Sequence, residues 1–192
     1  MVRCRTGGVL TVKKIFLIFI VLMMTLMISI VSAEEIDSDT LVNDMRNNPK
    51  NYVYVGNASS AGDSIFAMKS SVNVKEYKPP KYIIEIKLAQ IWWKEDMSSR
   101  TKDSANLLWE GKPLRFIYDY NSKKIYCEHK DNDLEYLDKE NANRGKFNSI
   151  MMSSAELAFY WAYDMSFYDK PVSHLFQRYI EEGSGTFDNR GF

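Results

Sequence analysis

The stretch from Tyr82 to Lys94 alternates over thirteen residues, with Tyr82, Ile84, Ile86, Leu88 and Trp92 on one side and Glu85 and Lys87 on the other. Successive side chains of a strand point to opposite faces, so a period of two describes a long strand with one face in a core. The opposite face meets water. Such a strand needs pairing partners along its edges and a cover for its apolar side. Antiparallel sheets suit it, because they commonly keep one face solvated.

The rest of the chain supplies candidates for both. Tyr52-Val53-Tyr54-Val55 is β-branched and aromatic and stops at Gly56-Asn57. After the small, polar run from Ala58 to Asp63, strand character resumes with Ile65, Phe66, Met68, Val72 and Val74, up to Pro79-Pro80. Leu114, Phe116, Tyr118 and Tyr120 alternate, Asn121-Ser122-Lys123 reads as a turn, and Ile125 to His129 runs back as a hairpin partner. Leu134, Tyr136 and Leu137 make a weaker strand, while 95–113 reads as a long loop enclosing Leu107-Leu108-Trp109. Near Ser153 the pattern changes. Ser153-Ser154-Ala155-Glu156 reads as a capping box opening an aromatic-rich helix that Pro171 stops. His174 to Glu182 reads as a second helix ending at Gly183. The expected fold is α+β: a mostly antiparallel curled sheet of five or six strands with C-terminal helices packed on one face.

The N-terminal region has a different character. Lys13-Lys14 precedes an apolar run from Ile15 to Val31, and Val31-Ser32-Ala33 closes it with small residues before Glu34-Glu35. That is the layout of a signal peptide over residues 1–33, cleaved after Ala33, with Val12-Lys13-Lys14 a more natural start than Met1. As a membrane anchor the seventeen residues 15–31 would reach about 25 Å, against the roughly 30 Å of a bilayer's hydrocarbon core. Cleavage is therefore the expectation, with an anchor in an envelope assembly as an alternative. Residues 34–50 read as a flexible lead-in, with a short helix at Thr40–Asn47 as the lesser reading. Residues 51–183 then form one domain and 184–192 a loose tail.

Charge and cysteine content narrow the function. Of 25 basic residues, Arg3, Arg5, Lys13 and Lys14 lie in the leader, leaving 21 against 25 acidic residues, a net of −4. A net-negative domain has no electrostatic case for binding nucleic acid. Hydrophobic residues at 45% argue against a disordered chain. With Cys4 in the leader, Cys127 is the one cysteine of the exported part, so no internal disulfide staples it.

Few residue patterns suggest chemistry. Cys127 and His129 share a strand face, but i and i+2 side chains stand roughly 7 Å apart, and a buried structural cysteine beside a rim histidine is the better reading. Asp131-Asn132-Asp133 resembles the start of a calcium loop. However, Tyr136 and Ala142 occupy the positions that need Gly and Glu, so a solvated acidic turn is expected. No zinc spacing, phosphate loop or nucleophile elbow occurs, and no metal or cofactor is expected. The remaining candidates are aromatic. If Trp92 faces the core, Trp93 lies on the outer face beside Ile91 and Ala89, and Trp109 lies on the long loop. Trp93, Ile91 and Trp109 are thus the expected ligand-binding surface.

Tyr52-Val53-Tyr54-Val55-Gly56, Ser64-Ile65-Phe66, Ser70-Ser71-Val72, Tyr118-Asp119 and the strand around Cys127 together form a layout over residues 51–130. That layout resembles exported bacterial domains of the surface-adhesin protein E type. It departs from theirs at Tyr52, often Trp in that family, and at Met68, where an Asp is expected. The resemblance implies a small antiparallel domain at the cell envelope.

The sequence reading is an exported, non-catalytic, envelope-associated or surface binding module in the periplasm, at the cell surface or outside the cell. Its partner would be an envelope component or another protein, without nucleic acid and without stable membrane insertion after cleavage. An extracytoplasmic hydrolase using His129 or His174 with carboxylates is the alternative.

Overall fold

The computed structural model of the protein describes residues 38–58, 63–93, 105–129, 133–183 and 185–187. The proposed signal peptide lies outside the described residues. Helix α1 (Ser38–Asn47) is followed by strands β1 (Tyr52–Asn57), β2 (Ser64–Met68), β3 (Asn73–Lys78), β4 (Lys81–Ile86) and β5 (Leu88–Trp93). Then come β6 (Ala105–Glu110), β7 (Leu114–Asp119), β8 (Lys124–Glu128) and β9 (Leu134–Tyr136), with helices α2 (Lys146–Tyr163) and α3 (His174–Glu182) last. All strand pairs are antiparallel, and the domain is α+β. The strands make two sheets, one of four in the order β1-β2-β5-β6 and one of five in the order β3-β4-β7-β8-β9.

The long alternating segment explains why there are two sheets instead of one. Its period of two is real, but it is divided at Lys87, where the chain leaves one sheet and enters the other. Ser71, in the 3-10 turn Lys69–Ser71, holds this junction: its hydroxyl donates to Met68 O at 2.6 Å and accepts from Lys87 N at 2.8 Å. Met68 N donates to Lys87 O at 3.1 Å, so the turn joins the ends of β2 and β4.

Each face of the four-stranded sheet has its own core. On one, Val53, Val55, Ile65, Ala67 and Leu88 join Ile84, Ile86, Phe116, Tyr118, Ile125 and Cys127 beneath α2. Close approach of α2 to β1 depends on Gly56, whose φ of 145° falls in a bulge. A Cβ at that position would stand 2.6 Å from Cγ1 of Ile150. On the other face, Tyr52, Phe66, Met68, Ala89, Ile91 and Trp93 pack against Leu41 and Met45 of α1 and against Phe187.

That second core corrects both ends of the expected domain. Residues 38–47 are not a flexible lead-in, because Leu41, Val42 and Met45 are buried and the Tyr52 hydroxyl donates to the Asp44 carboxylate. Nor are 185–187 a loose tail. Thr186 bridges Val53, Tyr54 N donates to Gly185 O at 2.8 Å, and Phe187 is 1% exposed. An apolar sheet face left uncovered would expose large aromatics to water, and these two short segments are what the chain uses to cover it.

The helices also differ in detail from expectation. α2 begins at Lys146, so Ser153 and Ser154 sit mid-helix, their hydroxyls donating back to Ser149 O and Ile150 O at 2.7 Å each. The helix ends at Asp164, in the left-handed region at φ 53°, before Pro171 is reached. α3 matches its expected range. Ser173 Oγ accepts from Phe176 N at 3.2 Å at its start, and Gly183 at φ 62° closes it.

Candidate functional site

Two of the three residues of the predicted aromatic surface, Trp93 and Ile91, are buried. Trp93 is 4% exposed and Ile91 fully buried in the core beneath α1, whereas Trp92 is 45% exposed. Ile84, Ile86 and Leu88 do enter the core beneath α2, but Trp92, expected with them, does not. What differs is the cover: the face of Ala89, Ile91 and Trp93 has its own roof, and the Trp92 face runs on beyond the core beneath α2. Trp93 Nε1 donates to the buried Ser64 hydroxyl at 3.0 Å, and its ring stacks on Phe187 at a centroid distance of 5.9 Å. Trp109 is not on a loop. It lies in β6 with its backbone paired to Gln90, and its side chain lies outside the described residues.

The other predicted residues separate. Cys127 is fully buried, and burial, reinforced by the charges of Glu135 and Glu128, pushes its thiol up to about 12. A thiol so protonated is a poor nucleophile at neutral pH. Ellman's reagent is accordingly expected to leave Cys127 unmodified in the folded protein and to react promptly once denaturant is added. Fast reaction under native conditions would overturn this burial. His129 Nε2 lies 2.6 Å from Glu135 Oε2 across the β8–β9 edge, with both side chains exposed. His174 is exposed at the start of α3, its backbone N–H donating to Asn143 Oδ1 at 3.1 Å. Asp131 and Asn132 of the acidic turn lie outside the described residues. Among the described residues, no three His, Cys, Asp or Glu side chains are grouped to hold a metal ion.

Concavity occurs elsewhere. A cleft of about 570 Å³ is lined by Lys50, Asn51, Lys69, Tyr160, Tyr179, Ile180, Gly183 and Thr186. A recess of about 280 Å³ lined by Asn47, Asn48, Pro49, Lys50 and Asn51 shares two of those residues. Local structure explains how they converge. The 3-10 turn Pro49–Asn51, between α1 and β1, carries Lys50 and Asn51, and the turn that holds the sheet junction carries Lys69. Tyr160 comes from the last turn of α2 and Tyr179 from α3. These two rings stand edge to face at 6.3 Å, and the Tyr179 hydroxyl accepts from Trp161 Nε1 at 3.1 Å, which fixes its orientation. Desolvation, followed by the charge of Asp164, raises the Tyr160 phenol above its usual value, so it remains a neutral hydroxyl.

The chemistry of the lining is that of a donor set. Both lysines are exposed, and neither forms an ion pair among the described residues. The cleft therefore carries local positive charge, which favours an anionic ligand held at one place over diffuse attraction. No sequence motif marks it, because its residues come from four separate elements and the segment around Thr186 and converge only in the fold. No family model matches the chain, and no curated protein and no solved structure matches it.

Proposed function

We propose that this protein is an exported, non-catalytic binding module of the cell envelope, and that the lysine- and tyrosine-lined cleft is its ligand site. The observation that carries the reading is the cleft itself: two ammonium groups with no ion pair among the described residues, an amide and two phenols face one concave surface. Such groups recognise a ligand without needing a nucleophile or a base. The basic, apolar and small-residue segments of 1–33 support export, and the adhesin-like layout of 51–130 supports an envelope location. One observation favours the hydrolase alternative, the His129–Glu135 contact, but that pair lines neither of the two concavities described.

Co-sedimentation of the purified protein with envelope fractions of its own host tests the proposal at low and high salt. Retention in one fraction is the expected result, weaker at high salt because the exposed lysines are screened. Absence from every fraction would overturn the envelope reading. Sequencing the N-terminus of the protein recovered from cells tests export with cleavage, for which Glu34 is the expected first residue.

A further inference from the structure

The cleft and the recess form one extended feature, since Lys50 and Asn51 line both. A ligand long enough to occupy both would meet Asn47 and Asn48 in the recess, Lys50 and Asn51 where the two adjoin, and Lys69 and the two tyrosines in the cleft. That shape suits a chain of linked units better than a single compact molecule. The lining mixes polar and apolar surface: two ammonium groups, three asparagine amides and two phenolic hydroxyls stand beside Pro49, Ile180 and the two tyrosine rings. A bound peptide would add to a free strand edge, and the part of β1 around Val53 is not free. The edge of β1 beside it is already occupied by Thr186, which bridges Val53. A saccharide chain presents many hydroxyls to amides and phenols, and lysines complement its charge if it is acidic.

We propose that this groove binds an acidic saccharide chain, with Lys50 and Lys69 meeting its anionic groups and Tyr160, Tyr179 and Asn51 meeting its hydroxylated rings. The inference rests on the binding-module reading and gives it a ligand class. Charge-assisted hydrogen bonds contribute more than neutral ones, so most of the selectivity falls on the two lysines.

The test is titration calorimetry of the full protein with tetragalacturonate, its methyl ester and hexaglutamate. The ester keeps the sugar and removes the charge, and hexaglutamate keeps the charge and removes the sugar. Tetragalacturonate is expected to bind, and each of the other two to bind about tenfold more weakly or less. The double variant Lys50→Ala/Lys69→Ala is expected to lose about tenfold in affinity for tetragalacturonate, with an unchanged melting temperature because both side chains are exposed. Equal binding of acid and ester, equal binding of hexaglutamate, undiminished binding by the double variant, or no binding of tetragalacturonate would each overturn the inference. Envelope co-sedimentation of wild type in parallel keeps the two readings apart. A protein retained by envelopes but indifferent to tetragalacturonate keeps its role as a binding module and loses this ligand class.

Discussion

Trp93→Ala is expected to destabilise the protein by about 3–5 kcal/mol, the range for truncating a buried aromatic, and to lower its melting temperature by about 10 °C. Three effects combine. The ring leaves a cavity between Phe66 and Phe187, the stacking on Phe187 is lost, and the Ser64 hydroxyl, fully buried, loses the indole N–H that it accepts. The neighbouring Trp92→Ala is expected to change stability by less than about 1 kcal/mol, since 45% of that residue is already in water. Thermal unfolding of the two variants side by side decides the matter. A small effect at Trp93 together with a large one at Trp92 would reverse the assignment of faces. The same experiment separates stability from recognition, because neither residue lines the cleft.

The second large effect is expected at Glu156, which is 1% exposed inside the domain. Its two carboxylate oxygens accept from Val172 N and Ser173 N at 2.8 Å each, which ties α2 to the chain entering α3. Burial pushes the carboxyl up to about 7, and the two amide donors oppose it only in part. The folded protein thus holds this proton more tightly than the unfolded chain, whose glutamate titrates at 4.5. A raised acid stabilises the fold where it is protonated. Its contribution is complete below the unfolded value and is lost as pH rises through about 7. Between pH 8 and pH 5 the linkage amounts to about 2–3 kcal/mol. Other carboxylates titrate in the same window, so the informative quantity is the stability difference between wild type and Glu156→Gln, which has no proton to exchange. That difference is expected to move in favour of wild type by about 2–3 kcal/mol as pH falls from 8 to 5. Denaturant titrations at several pH values measure it, and a difference independent of pH would overturn the assignment. Glu156→Ala is expected to lose about 3 kcal/mol or more at pH 5, because two buried amides are left without an acceptor.

Local patterns carried much of the architecture. The β7–β8 hairpin follows from its alternation and its turn, where Asp119 Oδ1 accepts from Asn121 N at 3.1 Å and Ser122 N at 3.2 Å. The end of α3 follows from Gly183. What local pattern could not carry is which element covers which face. The Tyr82–Trp93 alternation continues unchanged through Lys87, so periodicity holds no trace of the passage from one sheet to the other. The burial of Ile91 and Trp93 depends on a ten-residue helix and three residues near Phe187, both too short and too polar to announce a core. The cleft was illegible for a related reason. Lys50 and Lys69 look like ordinary surface charges until the fold sets them beside Tyr160 and Tyr179.

The roof over the four-stranded sheet also has a consequence for the timing of synthesis. Leu41 and Met45 leave the ribosome well before Phe187, yet all three pack against Phe66 and Trp93 in one core. Until residue 187 emerges, that core lacks one of its aromatic rings and the edge of β1 lacks the bridge at Val53. This core therefore closes only after the segment around Phe187 has joined it, whereas the core beneath α2 does not depend on that residue.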